Sequence, residues 1–250
     1  MKRILLVTVI VALVAVSGFG VALAKPVSPP RDIERAVFIH YKAPAKPDWA
    51  GPKEPKVDEG YKLFRGGVKW SNGDLPVAYL VNTGSIPSGV DPSIAFGEIC
   101  AAFEEWDTNT SKELYNGTVG VTETAGAHKD GDNTIAWVYI GSSNIIAVTT
   151  FWYYVNTKEL IEFDIELNTQ FEWGVNGVGV TEANTALGNP SFMDIRNITT
   201  HESGHTLVLN DLYEGQYTQM TMYGYSDYGE VKKISLELGD VAGLQKLYGR

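Results

Sequence analysis

The chain has four histidines in 250 residues, and two of them stand four apart in the string His201-Glu202-Ser203-Gly204-His205. On an α-helix, positions i and i+4 lie one above the other, so both imidazoles leave the same face and Glu202 leans toward the space before them. Ile198, His201, His205 and Val208 make one stripe at helical spacing, so this face is apolar and reads as buried. Sinking two unpartnered imidazoles into such a stripe costs about 1–3 kcal/mol for each polar group left unsatisfied. A shared metal ion takes up both ring nitrogens and removes that cost. The string therefore demands a fold that buries this helix and brings a further ligand over its face.

The pattern H-E-x-x-H on a helix is that of a zinc site in which the glutamate is a general base, and such sites use three protein ligands plus one position left for water. Asp211, six residues after His205, supplies the third ligand if the chain turns sharply behind the helix. Asn210 suits that turn, because asparagine tolerates the left-handed conformation of a helix C-cap. The rivals are His128 upstream and the carboxylates Glu214, Glu230 and Glu237 downstream.

The amino terminus divides the chain. Lys2-Arg3, an apolar run over residues 4–16 and small residues ending Ala22-Leu23-Ala24 have the three parts of a signal peptide, cleaved after Ala24. The mature protein is then expected to be secreted, with no stable membrane association. Residues 25–60 carry Pro26, Pro29, Pro30, Pro44, Pro47, Pro52 and Pro55 without a sustained apolar period, as in a pro-segment or linker. Only residues 36–41 read as a short strand there, one that either adds to a sheet edge or covers a cleft, or else belongs to a disordered spacer. Residues 61–250 form the folded domain.

Loss of residues 1–24 removes Lys2 and Arg3 and moves the net charge from -10 to -12. Nucleic acid is thereby disfavoured as a partner, since phosphate binding needs clustered lysine and arginine. Cys100 is the only cysteine, so no intrachain disulfide forms. It falls among Ile94, Ile99, Ala102, Phe103 and Trp106 on a helical face and reads as a core thiol. Asn109, Asn116 and Asn197 begin glycosylation triplets, Asn197 inside the expected metal helix.

The expected elements are a strand over 75–81, a helix over 91–106 capped by Asp91 before Pro92, strands over 134–140, 145–154 and 160–167, a helix from an Asp194 cap to about Leu209, and a last helix from Ser235 or Glu237 to Tyr248. Their order makes an α+β domain with its chemistry on the second helix.

Extended by six residues, the string becomes His201-Glu202-Ser203-Gly204-His205-Thr206-Leu207-Val208-Leu209-Asn210-Asp211, which resembles the metzincin zinc peptidases, most closely their matrixin branch, in the form that ends in aspartate. Thr221-Met222-Tyr223-Gly224-Tyr225 resembles the Met-turn of that family, and Asp240-Val241-Ala242-Gly243-Leu244-Gln245-Lys246-Leu247-Tyr248-Gly249 its closing helix. Gly67-Val68-Lys69-Trp70 with Leu75-Pro76-Val77-Ala78-Tyr79 resembles the start of the catalytic domain. The segments 130–137, 147–149 and 161–168 resemble its middle strands, so the likeness covers residues 61–250.

The resemblance implies a zincin-like fold, a twisted mixed β-sheet with an active-site helix and a C-terminal helix. It implies a zinc ion on His201, His205 and Asp211. It also implies a protein or peptide substrate lying extended beside the strand around residues 145–151. One departure stands out: the family's glycine at the helix break is Val208 here. Either the helix runs on and Asn210 takes the turn, or Asp211 is not the ligand. Latency in the family comes from a pro-segment cysteine, and residues 25–60 have none. His40 is the residue there that could replace it, although a lone histidine in such a segment is ordinarily exposed. His128, Asp130, Asp132 and Asn133 resemble a structural ion loop, which here reads as a turn of solvated acids; Ca2+ remains a second candidate ion.

The expected function is secreted zinc-dependent endopeptidase activity, in which zinc activates a water and Glu202 is the general base. The alternatives are a gluzincin-type peptidase using Glu230 or Glu237, and a secreted metal-binding domain without turnover. The residues leave the oligomeric state unspecified.

Overall fold

Aspartates start two of the three α-helices among the described residues. In a computed structural model that describes residues 32–43, 60–176 and 188–250, Asp91 accepts from the amides of Ser93 and Ile94 at the head of α1 (Pro92–Asp107), with Pro92 in its first turn. Asp194 accepts from Asn197 N at the head of α2 (Ile195–Thr206). Each carboxylate satisfies amides that the first helical turn leaves without partners. The third helix, α3 (Leu238–Tyr248), begins after Glu237 and ends before Gly249. The expected signal peptide and the proline-rich stretch over 44–59 lie outside the described residues.

The strands are β1 (Ile33–Lys42), β2 (Leu80–Val81), β3 (Gly120–Val121), β4 (Thr134–Val138), β5 (Ile145–Tyr154), β6 (Leu160–Asn168), β7 (Trp173–Gly174), β8 (Met193–Asp194) and β9 (Tyr225–Ser226). Seven of them form one mixed sheet in the order β3-β2-β4-β6-β5-β1-β9, while β7 and β8 pair separately. The described residues are thus mixed α and β, with three α-helices among them. β4 runs parallel to β6, β5 antiparallel to both β6 and β1, and β9 parallel to the end of β1.

Against this sheet lies a core in which Trp106, Phe103, Phe163, Ile99, Ile165 and Ile198 are fully buried. Every residue of α2 except Arg196 is buried, so the helix is enclosed on all sides rather than half solvated. Ile99, Ala102, Phe103 and Trp106 form the buried face expected of α1, but Ile94 is exposed and Cys100 half-buried. Cys100 sits beside Tyr79, and burial raises its thiol pKa. It is a partly covered thiol rather than a core one. The strand expected over 75–81 contracts to β2, preceded by a single bridge from Val77 to Tyr115.

Helices α1 and α2 meet through Trp106, whose indole N–H donates to Thr200 O at 3.0 Å and Ser203 Oγ at 2.9 Å. Gly204 lies at that contact, and a Cβ placed on it would collide with Met222 Sδ and stand 2.6 Å from the Trp106 ring. Alanine is the better helix former by about 1 kcal/mol, but overpacking a closed core costs about 1–3 kcal/mol. Trp106 is held by its hydrogen bonds and cannot retreat, so the collision wins. Gly204→Ala is expected to lower the melting temperature by several degrees in a thermal scan; an increase would refute this packing argument.

Candidate metal centre

Helix α2 places His201 and His205 on one face, and each ring spends Nδ1 on a backbone carbonyl: His201 on Thr221 O and His205 on Leu209 O, both at 2.7 Å. A carbonyl only accepts, so Nδ1 carries the hydrogen and Nε2 presents a lone pair. The two Nε2 atoms face one another at 3.1 Å. Asp211 Oδ1 completes the group, 3.2 Å from His201 Nε2 and 3.5 Å from His205 Nε2. Three electron-rich atoms this close repel unless a positive charge sits among them.

Ligands at zinc distances of 2.0–2.1 Å in a tetrahedral site stand about 3.3 Å apart, the mean of the three separations here. Asp211 Oδ1 is moreover buried without a hydrogen-bond donor, an expensive state for a carboxylate oxygen. The donor set therefore fits a divalent cation. In the bare cluster a proton takes part of that role. Burial lowers both imidazoles, and His201 falls to about 4, with Lys233 adding to the drop; at His205 burial is outweighed, chiefly by the negative charge of Asp211, and the net shift is upward. Burial raises Asp211 too, but the two histidines prevail and hold it well below the usual carboxylate range.

The turn that delivers Asp211 differs from the one expected at Asn210. The helix ends at Thr206, and Val208 itself adopts φ +67°, whereas Asn210 is not in the left-handed region. So Val208 does what the glycine of the resembling family would do, and Asp211 still reaches the cluster. A β-branched residue at positive φ is strained by about 1–3 kcal/mol. The neighbouring chain holds it there: Phe64 N donates to Val208 O and Asn210 N to Lys62 O, and the Val208 side chain is fully buried. The same turn brings Leu209 O back to His205 Nδ1, so the strained residue also orients a ligand.

Glu202 lies beside the cluster. Its Oε2 accepts from Thr149 Oγ1 of β5 at 2.6 Å, and its Oε1 is 2.9 Å from His40 Nδ1. Burial pushes its pKa up to about 7 against the opposing effects of His205 and Thr149. His40 was expected to be an exposed side chain, yet it is fully buried. Its ring lies 3.9 Å from that of His201, and its Nε2 meets Ser226 Oγ at 3.1 Å and Lys233 Nζ at 3.2 Å.

Tyr213, Lys233 and the second role of Asp240 carried no signal in the sequence, whereas Met222 and Gly224 stand in the string that resembles a Met-turn. Asp240 of α3 accepts from Thr221 N and Met222 N and so fixes the turn whose Thr221 carbonyl orients His201. Tyr213 donates its hydroxyl to Asp211 Oδ2 at 3.1 Å. Gly224 permits that approach, because a Cβ there would stand in the Tyr213 ring and 2.9 Å from Asp211 Oδ1. Met222 is buried under Gly204 of α2. Buried Lys233 donates to Tyr225 O and Ser226 Oγ.

None of the rival ligands joins this cluster. Glu230 accepts from Ser226 Oγ and pairs with Lys232 and Lys233; Glu237 caps α3, and Glu214 precedes a short 3-10 turn. The loop around His128 and Asp130 is tied down by Glu162 and Asp164, which accept the amides of residues 128, 130, 131 and 134. Asn197 is fully buried. Among the described residues, the groups whose ligand atoms lie within 4.8 Å of one another are His201, His205 and Asp211, and His40, His201 and Glu202. No described helix is long and apolar enough to cross a membrane. No family model matches the chain, and no curated protein matches it either.

Proposed function

We propose that this chain is a zinc-dependent endopeptidase of metzincin, matrixin-like type, secreted after loss of residues 1–24, with a zincin-like catalytic domain. The observation that carries this reading is the convergence of two Nε2 lone pairs and an unpartnered buried carboxylate oxygen at tetrahedral spacing, with Glu202 next to them. His201, His205 and Asp211 would hold the ion. Zinc bound there would supply Lewis acidity, polarising the scissile carbonyl and easing deprotonation of a water.

Glu202 accounts for the proton. As the water oxygen bonds to the carbonyl carbon, its proton passes to the Glu202 carboxylate; as the C–N bond breaks, Glu202 delivers that proton to the departing nitrogen. Burial favours the proton on Glu202, which suits a group that takes a proton from water and holds it for the departing nitrogen. Thr149 fixes one carboxylate oxygen; the other, which His40 Nδ1 faces at 2.9 Å, is the one that would take part in the transfer. A site built only to hold metal has no use for such a base, which weighs against the non-catalytic alternative. Glu230 and Glu237 have other partners, which favours Asp211 over a gluzincin arrangement.

The test is metal analysis joined to turnover. The full chain is expected to hold one zinc per molecule, to hydrolyse casein, to lose that activity with a chelator and to regain it with stoichiometric zinc. Equal hydrolysis by the metal-stripped chain would overturn the proposal.

A further inference from the structure

Strand β1 sits where a substrate would have to lie. It runs antiparallel to β5 along its whole length, from Ile33 opposite Tyr154 to Tyr41 opposite Ile145, and its far side pairs in parallel with β9 at Tyr41 and Lys42. Taken away, it leaves a slot one strand wide, with backbone donors and acceptors exposed on β5 and at β9. Such a slot selects an extended peptide, because main-chain hydrogen bonds hold any sequence in strand form. Two inward side chains of β1 cover the metal centre. The Phe38 ring stacks on His205 at 4.1 Å, and His40 lies tilted over His201 at 3.9 Å while its Nδ1 faces Glu202 Oε1 at 2.9 Å. With Thr149 on the other oxygen, both oxygens of the proposed base are taken.

Of the ten residues of β1 only His40 is buried; Ala36 and Phe38 pack against the core as partly buried side chains, and none of its apolar side chains is fully buried. Ile33, Glu34, Arg35 and Val37 are exposed. Such a strand closes the slot without fully burying an apolar side chain of its own.

Resting on the peptidase reading above, we infer that residues 33–42 are an internal occupant of the peptide slot, that His40 clamps Glu202, and that an outside peptide enters only when β1 leaves. A reversible lock tests this. Val37 and Thr150 face each other across β1 and β5 on the side away from Glu202, since the neighbouring pair is Phe38 with Thr149. A full-length chain carrying Val37→Cys and Thr150→Cys, with Cys100→Ala, would be locked by oxidation and freed by reduction. The probe is a fluorescein-labelled synthetic peptide of residues 32–43, followed by anisotropy with zinc content measured in both states.

The reduced chain is expected to bind the probe at least tenfold more tightly than the oxidised one, with equal zinc, and to hydrolyse casein at least tenfold faster. Casein hydrolysis by the oxidised chain at the reduced rate would overturn the inference and leave the peptidase reading intact. Probe binding confined to the reduced state, with no hydrolysis in either, would uphold the slot and overturn the peptidase reading. Equal probe binding in both states overturns the inference whatever the turnover.

Discussion

Glu202→Gln is expected to keep its zinc and to lose turnover by about 10²- to 10⁴-fold, the range over which a positioned general base contributes. Glutamine preserves the shape of the side chain and can still accept from Thr149 Oγ1 through its amide oxygen. The three donor atoms of the centre belong to other residues, so metal affinity stays within a few-fold of the parent. What disappears is the carboxylate that takes the proton from water. A variant that keeps full casein hydrolysis would remove Glu202 from the mechanism. The same substitution has a pH signature in the zinc-stripped chain. Burial raises the folded pKa of Glu202 above its ordinary 4.5, to about 7, so the folded state holds the extra proton through that interval. Its contribution to stability is complete below about 4.5 and is lost as pH rises through about 7. Glutamine cannot ionise, so Glu202→Gln flattens this part of the stability-against-pH curve, measured by chemical denaturation at several pH values.

The elements legible in the sequence are those whose signals are local. Asp194 three residues before Asn197 is a cap that works within one helical turn, and residues 145–154 carry β-branched and aromatic residues along their whole length; both appeared where expected. The spacing of His201 and His205 is equally local. Asp211 was reachable from sequence because it lies one turn past the helix, although the residue that makes the turn was not. Val208 occupies its left-handed conformation only because residues 62–64, far away in the chain, pair with residues 208–210. Local preference alone pointed to Asn210.

The illegible parts are long-range. His40 and Glu202 are 162 positions apart and meet only because β1 joins the sheet beside β5. Lysine in a polar run such as Val231-Lys232-Lys233 reads as solvated surface. Lys233 is instead buried, because the carbonyl of Tyr225, the hydroxyl of Ser226 and the carboxylate of Glu230 gather around its ammonium. Asp240 resembles an ordinary helix-start acid, and it does accept from Glu237 N, yet the same carboxylate also fixes the Thr221–Met222 amides. One side chain serves the helix and the metal centre together, and a pattern read along the chain registers only the first.

Asp211→Ala is expected to weaken zinc binding at least a hundredfold, because it removes one of three protein donors and the only negative charge among them. The consequence can be read without any activity. Zinc at a thousand times the parent's Kd stabilises the parent by about 4 kcal/mol, since binding to the folded state alone contributes RT ln(1 + [L]/Kd). At the same zinc concentration a hundredfold weaker site gives about 1.4 kcal/mol by the same expression. For a chain of this size the melting temperature moves by roughly 2–4 °C per kcal/mol, so the zinc-induced rise should shrink from about 8–16 °C to about 3–6 °C. Glu230→Gln and Glu237→Gln should leave that rise unchanged, because their carboxylates serve Ser226, Lys232 and Lys233 in one case and α3 in the other. An undiminished rise in Asp211→Ala, paired with its loss in either glutamate variant, would move the third ligand downstream and turn the centre into the gluzincin alternative.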